Sequence, residues 1–205
     1  MKKYKVGIIG NGFVGNAQAF AFSPIADILI YDIDPKKSLN TIEEVNDCDF
    51  IFISVPTPMS KDGGQDTSYI EEAFKKAVSG PIYIIKSTVL PGTTSILQQK
   101  YKKLNIVFNP EFLTERTSKL DTMTQARIVL GGDPGYVEQV SKLYRQRFVM
   151  TNIIETDTTT AELIKYMNNT FFATKVSIMN EFKQVAEAIG ANWEQALYGF
   201  AADGR

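Results

Sequence analysis

Gly10-Asn11-Gly12-Phe13-Val14-Gly15 follows the apolar run Tyr4 to Ile9 and opens a segment with helical spacing, Phe13 to Phe22. A G-x-G-x-x-G pattern carries meaning in this order of strand, glycine loop and helix. The first glycine permits the tight turn, the second lets backbone approach a pyrophosphate, and the third lets helix and strand pack closely. The helix N-terminus then offers unpaired N–H groups and the positive end of its dipole to phosphate oxygens. Gly10, Gly12, Phe13, Val14 and Gly15 are therefore expected at a dinucleotide.

A glycine-rich turn alone is weak evidence, and a second signal sits at the right distance. The next apolar run, Ile28-Leu29-Ile30-Tyr31, ends in Asp32, about 20 residues on, where a carboxylate can take both ribose hydroxyls of an adenosine. A carboxylate there repels a 2′-phosphate, so Asp32 selects NAD over NADP. The plainer alternative is a structural turn followed by a strand-end acid. The complete strand–loop–helix–acid pattern argues against it.

The 205 residues suffice for one good core, or for one domain plus part of another. A net charge of −1 without a lysine/arginine cluster suggests neither nucleic acid nor an anionic membrane as a partner. No apolar run approaches the roughly 20 residues of a membrane span, and Met1-Lys2-Lys3-Tyr4 leads straight into a strand. The single cysteine excludes a disulfide framework and suits a reducing cytoplasm. The chain has no histidine, which removes His-based proton transfer and any His/Cys zinc site. Zinc alcohol dehydrogenases and lactate-type enzymes go with them. The lack of a Tyr-x-x-x-Lys pair argues against the short-chain dehydrogenases. No metal is expected, and chemistry must use carboxylates, Lys, Thr, Asn or bound water.

Beyond Asp32, the polar segment 33–46 has room for one short strand or helix, not a full crossover. Residues 49–55 read as a buried parallel strand running into the rigid Val55-Pro56-Thr57-Pro58 loop, followed by a polar excursion at 60–67. Helices are expected at 69–78, 94–103 and 135–146, and strands at 82–86, 105–108, 127–130 and 152–155. Strands alternating with helices at these intervals indicate an α/β fold, a Rossmann-like doubly wound parallel sheet. From Thr158 to Ile189 the pattern is one long helix of about 32 residues, roughly 48 Å, with Asp157 as its N-cap and Gly190 past its end. Such a helix links two domains or pairs with another subunit, and a further helix begins at 192–200.

Ligands of an open parallel sheet bind at the carboxyl ends of its strands. The loops there are 10–15, Asp32, 55–58, 87–92 and 109–115, which bring Thr57, Ser87, Thr88, Asn109, Glu111 and Glu115 to the expected nicotinamide position. Thr88 alone reads equally well as an ST-turn or N-cap. Glu111 stands among Pro110, Phe112 and Leu113, neighbours that disfavour its charge and would suit it to proton transfer. Cys48 precedes its strand, at the amino edge, and reads as a buried small residue rather than a nucleophile. Glu162, Lys165 and Asn169 share one face of the long helix. That face turns away from the apolar stripe Ile164, Met167, Phe171, Ile178, Phe182, Val185 and Ile189. Spacing supports a solvated surface as well as a functional one, in which ammonium and amide together meet an alkoxide or oxyanion.

With these residues in view, the chain resembles the UDP-glucose/GDP-mannose dehydrogenase family. The matching pieces are GNGFVG (10–15), VPTP (55–58), KSTVLPGTT (86–94), NPEFL (109–113) with Glu115, and AELIKYMNNTFFATKVSIMNE (161–181), in family order over nearly the whole chain. The resemblance implies oxidation of a nucleotide sugar's C6 alcohol to a carboxylate, UDP-glucose foremost, using two NAD. It implies NAD contacts from the glycine loop, Asp32, Val55, Pro56, Thr57, Pro58, Ser87, Thr88 and Glu115, with Lys37 a candidate for the basic residue that follows the ribose acid. By the same carry-over Thr88 and Glu111 hold a catalytic water and relay protons, and Lys165 and Asn169 stabilise the oxyanion. Glu111, Phe112, Leu113 and Glu115 touch the sugar nucleotide together with Lys165 and Asn169. The long helix would form a homodimer, giving an NAD-binding domain at 1–155 and a helical part at 156–205.

Two departures stand out. The family's catalytic cysteine, in a Gly-Phe-Gly-Gly-x-Cys stretch, and the domain that holds the uridine lie downstream of residue 205, so this chain is expected to bind NAD without completing the oxidation. The stretch 32–55 is also much shorter than the family usually allows. Two other readings remain: a β-hydroxyacid dehydrogenase of the 6-phosphogluconate or 3-hydroxyisobutyrate type, which NPEFL and the Thr88 loop oppose, and a non-catalytic NAD-binding or dimerisation module.

Overall fold

A computed structural model describes residues 3–204; Met1, Lys2 and Arg205, assigned above to the two ends, lie outside the described residues. The elements follow as β1 (Tyr4–Ile9), α1 (Phe13–Phe22), β2 (Ala26–Tyr31), α2 (Ile42–Asn46), β3 (Phe50–Ile53), α3 (Ser68–Lys75), β4 (Ile82–Ile85), α4 (Thr93–Lys100) and β5 (Asn105–Phe108). After a 3-10 turn (Glu115–Thr117) come α5 (Ser118–Met123), β6 (Arg127–Gly132), α6 (Pro134–Arg147), β7 (Asn152–Thr156), α7 (Thr158–Ile189) and α8 (Trp193–Ala201).

The strands form one sheet in the order β2-β1-β3-β4-β5-β6-β7, with β1 to β5 parallel. Phe-Ile-Phe-Ile of β3 and Ile-Tyr-Ile-Ile of β4 are buried throughout, as a parallel sheet covered on both faces requires. Their alternation divides the core. Phe50, Phe52, Ile82 and Ile84 join Phe22 of α1 and Tyr144 of α6 on one face. Ile51, Ile53, Tyr83 and Ile85 join Ile70 and Phe74 of α3 and Leu97 of α4 on the other. The short passage from β2 to β3 holds a single five-residue helix, α2, opened by a capping box in which Thr41 and Glu44 bond each other's backbone N–H.

The structure departs from an all-parallel sheet at β6, which runs antiparallel to β5 and pairs with it only through Val107 with Gly132 and Phe108 with Gly131. Most of β6 therefore extends past the carboxyl edge of β5, and β7 pairs parallel to it along that extension. Alternating strands and helices do not reveal strand sense. Here the connection 109–126 travels along the carboxyl edge instead of crossing the sheet, so β6 returns in the opposite direction. α5 lies in that connection and packs on α1; its six residues are too few to show a helical period.

The chain divides into two compact units that meet between Lys165 and Tyr166. The first holds the sheet and the opening turns of α7, whose start Asp157 caps by accepting from the Thr160 N–H at 2.9 Å. The second continues α7 to Gly190, where φ of +71° closes the helix, and adds α8. Met167, Phe171, Val176, Ile178, Phe182 and Val185 are exposed along its length. Among the described residues no helix is long and apolar enough to cross a membrane.

The junction of β1 and α1 is the tightest point of the sheet. Gly10 has φ of +93°, and a Cβ at Gly15 would lie 1.9 Å from the Gly10 carbonyl oxygen. Gly15→Ala is therefore expected to destabilise the fold by about 1–3 kcal/mol or more, read as a lower urea midpoint, by forcing α1 away from β1.

Candidate functional site

Because β2, β1, β3, β4 and β5 stand side by side and parallel, the loops at their carboxyl ends fall in a row. Along that row runs a cavity of about 570 Å³, within the ordinary range for a small-molecule site. Its lining includes Gly10, Gly12, Phe13, Val14, Asp32, Lys37, Val55, Pro56, Thr57, Ser87, Thr88 and Glu111. Gly15, Pro58, Phe112, Leu113, Glu115, Lys165 and Asn169 are not part of that lining.

At one end Asp32 accepts from the Asn11 N–H at 2.6 Å and the Asp34 N–H at 2.8 Å, which pins its carboxylate to the glycine loop. The Asn11 side chain in turn donates to the Lys37 carbonyl at 2.8 Å. A Cβ at Gly12 would meet nothing within 4 Å, so the loop leaves open space where a phosphate would approach. Ser54 is among the lining residues, and its Oγ is buried without a hydrogen-bond partner among the described residues. An open glycine backbone, a strand-end carboxylate and an unsatisfied hydroxyl together fit a dinucleotide.

The middle of the row is stitched by side chains. Ser87 Oγ donates to the Val55 carbonyl at 2.6 Å, and Thr57 Oγ1 donates to the Thr88 carbonyl at 2.7 Å. Gln65, which sequence reasoning left in a polar excursion, donates to the same carbonyl at 2.7 Å and accepts from the Leu90 N–H at 2.9 Å.

The far end is built by α7. Lys165 Nζ donates to the Glu111 carbonyl at 2.5 Å and to its carboxylate at 2.9 Å, while the Leu113 N–H donates to the other carboxylate oxygen at 2.6 Å. The apolar surroundings expected of Glu111 give way to a carboxylate fully engaged by donors. One turn earlier Glu162 accepts from the Gly92 N–H at 2.6 Å and the Thr94 N–H at 2.8 Å, capping α4 and holding the end of the Thr88 loop. Glu162 is 0% and Lys165 3% exposed, so this stretch of the helix face is buried against the sheet edge rather than solvated. Asn169, one turn beyond Lys165, is exposed and belongs to the second unit. Phe112 lies under the Arg127 guanidinium, 4.2 Å from ring centre, and Lys165 stands 5.4 Å from the same ring. Glu115 is exposed at the start of the 3-10 turn.

Lys86 is the residue that sequence reasoning missed. It follows the last residue of β4, is 4% exposed, and donates to Asn109 Oδ1 at 2.9 Å and to the Pro110 carbonyl at 3.5 Å. Asn109 Oδ1 also accepts from the buried Tyr144 hydroxyl. Burial drives the Lys86 ammonium down to about 7; Glu111 opposes the shift and Lys165 adds to it. A lysine at the carboxyl end of a wholly apolar strand was the available signal. Cys48 is 4% exposed and its thiol is pushed up to about 12 by burial, as its place at the amino edge suggested.

A model of the UDP-glucose/GDP-mannose dehydrogenase family's NAD binding domain matches residues 38–148, and the model of that family's central domain matches residues 159–205. UDP-glucose 6-dehydrogenase TuaD of Bacillus subtilis is 31% identical over 98% of this chain and 53% of its own length. UDP-glucose 6-dehydrogenase YwqF of the same organism is 34% identical over 77% of this chain and 38% of its own. The solved UDP-D-ManNAc dehydrogenase of Pyrococcus horikoshii superposes with a TM-score of 0.87 at 25% identity, over 98% of this chain and 58% of that one. The chain thus spans about half the length of the relatives it matches, or less.

Two outcomes follow from this geometry. Glu162→Ala leaves two amides at the α4 N-terminus without their acceptor and is expected to cost at least about 2 kcal/mol in urea unfolding, with Glu162→Gln between it and the parent. For Lys86, the unfolded chain binds a proton up to about pH 10.4 and the folded chain only to about 7, so folding stability rises with pH above 7. The rise is at most about 1.4 kcal/mol per pH unit, and Cys48 opposes it above pH 9.0. Urea midpoints measured from pH 7 to 9 should climb in the parent and stay flatter in Lys86→Met.

Proposed function

Because the chain belongs to the UDP-glucose/GDP-mannose dehydrogenase family, we propose that it is the NAD-binding portion of an enzyme that oxidises a nucleotide sugar's C6 alcohol to the carboxylate. We take UDP-glucose as the sugar nucleotide, the substrate in the names of the two Bacillus subtilis relatives. The observation that carries this reading is the buried Lys165–Glu111 pair beside the end of the cavity remote from Asp32. That is the end where the reacting carbon of a substrate meets a nicotinamide whose adenosine lies at Asp32.

NAD, when bound, supplies the hydride acceptor. The protein's own groups do the rest. Asp32 takes the adenosine ribose, Gly10, Gly12, Phe13, Val14 and Gly15 form the pyrophosphate turn, and Lys37 lies at the ribose edge. Val55, Pro56, Thr57, Ser87 and Thr88 wall the nicotinamide side, while Pro58 and Glu115, outside that lining, are NAD contacts by the family resemblance alone. Lys165 spends two of its three N–H groups on Glu111, and the third remains for an oxygen that becomes negative as the alcohol is oxidised. Burial makes that ammonium worth more than it would be in water. Glu111, fixed through both carboxylate oxygens, holds a water with Thr88 and moves its proton, and Phe112 and Leu113 border the sugar nucleotide.

In this reading residues 1–155 are the NAD-binding domain and 156–205 the helical part, a division supported by the family matches at 38–148 and 159–205. The exposed apolar residues of α7 support a homodimer formed along that helix, and the single buried cysteine supports a cytoplasmic setting.

Calorimetric titration of the chain tests the cofactor site. NAD is expected to bind, NADP to bind at least about tenfold more weakly, and Asp32→Ala to lose at least about tenfold in NAD affinity. Absence of NAD binding would overturn the reading. Turnover of UDP-glucose, followed as NADH absorbance, is expected only where a cysteine-bearing segment completes the site.

A further inference from the structure

Among the described residues, Lys86 stands at the cavity without a carboxylate in hydrogen-bond contact. Its two acceptors, Asn109 Oδ1 and the Pro110 carbonyl, are both neutral. A neutral amine has two N–H groups, which these acceptors satisfy. An ammonium has three, one in excess. The nearby carboxylate, Glu111, is already bonded by Lys165 and by the Leu113 N–H. Tyr144, which reaches Lys86 through Asn109, is buried and held neutral. The other charged groups lining the cavity are Asp32, Asp34 and Lys37, from the β2 end, and Glu72 and Lys76, from α3 and its C-cap. Lys86 is therefore a buried cation with no bonded counter-charge among the described residues: Glu111 offsets its burial only from a distance, and Lys165 is its like-charged neighbour.

The order of the strands decides what comes to lie there. With the adenosine at Asp32 of β2 and the pyrophosphate at the glycine loop of β1, a dinucleotide extended across β3 brings its nicotinamide over the ends of β4 and β5, where Lys86, Thr88 and Glu111 line the cavity. The oxidised ring carries a positive charge and the reduced ring none. A buried ammonium and a cationic ring repel strongly at low dielectric, and Glu111 is already claimed.

We propose that Lys86 reads the oxidation state of the nicotinamide, giving up its proton when NAD+ binds and keeping it beside NADH. This rests on the NAD reading above and deepens it, because one buried amine then discriminates between the two cofactor forms. The lowered proton affinity of Lys86 puts the exchange close to neutral pH. Below that point each pH unit should weaken NAD+ binding by about tenfold, the slope of one linked proton, while NADH affinity stays flat.

Calorimetry of the full chain in phosphate and in Tris, buffers of different ionisation enthalpy, counts the protons released. Near pH 6.5 the wild type is expected to release most of one proton with NAD+ and none with NADH. Lys86→Met should abolish the release and flatten the pH dependence of NAD+ affinity. Lys86→Arg, which stays charged, should still bind NADH while NAD+ affinity falls at least about tenfold. Binding of NAD+ without proton release, equal release with NADH, or release that persists in Lys86→Met would each overturn the inference and leave the cofactor reading standing. Failure of the wild type to bind either form would overturn the cofactor reading and this inference with it. Should Lys86→Met fail to fold, lysine ¹³Cε resonances of the wild type decide. A lysine titrating near 7 that moves with NAD+ and not with NADH supports the proposal, and the absence of any lysine titrating below about 9 overturns it.

Discussion

An ammonium and a carboxylate taken out of water together hold this site. Lys165 of α7 and Glu111 after β5 meet at 2.9 Å with side chains 4% and 14% exposed. Desolvating two charges is expensive, and the attraction between them offsets that cost only if the remaining donors and acceptors are also met. Here they are. The second Glu111 oxygen accepts from the Leu113 N–H, and Lys165 also takes the Glu111 carbonyl. The turn 109–113 therefore cannot shift without exposing a buried charge, and the carboxylate stays aimed.

The same helix fastens the neighbouring loop. Glu162, one turn before Lys165, caps α4 through the Gly92 and Thr94 amides, so two adjacent turns of α7 grip the loops after β4 and β5 at once. Seen this way, the beginning of α7 is part of the site as much as a link onward. The antiparallel return of β6 contributes too. It carries strand past the carboxyl edge, where the Val129 carbonyl accepts from Asn109 at 2.7 Å and Arg127 covers Phe112. The cost of the arrangement falls on Lys86, a second cation buried with no carboxylate bonded to it among the described residues, whose ammonium burial disfavours. Its proton is consequently held loosely.

Much of this was legible in the chain. β1 and α1 were readable residue by residue, because an apolar run, a glycine turn and a helical period are all local. The extents of β5 and α7 followed from β-branched clustering in one case and from Asp157 and Gly190 in the other. The sense of β6 was not readable, since an apolar strand pattern is the same in either direction. α5 was too short to show a period and owes its existence to packing on α1. The Glu162–Lys165 face read as polar, and polarity on a helix cannot say whether water or a buried partner satisfies it. Lys86 was passed over for the opposite reason: a lysine after an apolar strand ordinarily reaches solvent, and this one is roofed by the 109–111 turn.

The sequence by itself determined the order of strand, glycine loop, helix and acid, hence the cofactor class and the edge of the sheet at which chemistry occurs. Those features depend on contacts between residues close in the chain and on steric rules that glycine, proline and alternating side chains carry with them. Only the tertiary structure decided which charges are buried and what they meet. Whether Glu111 is boxed in by apolar groups or paired, whether Lys165 is wet or buried, and where Lys86 gives up its proton all depend on neighbours contributed by distant segments. Glu111 and Lys165 are 54 residues apart in the chain, and Lys86 and Asn109 are 23. Electrostatic energies inside a protein are set by distance and by the exclusion of water, and both come into being only when the chain has folded.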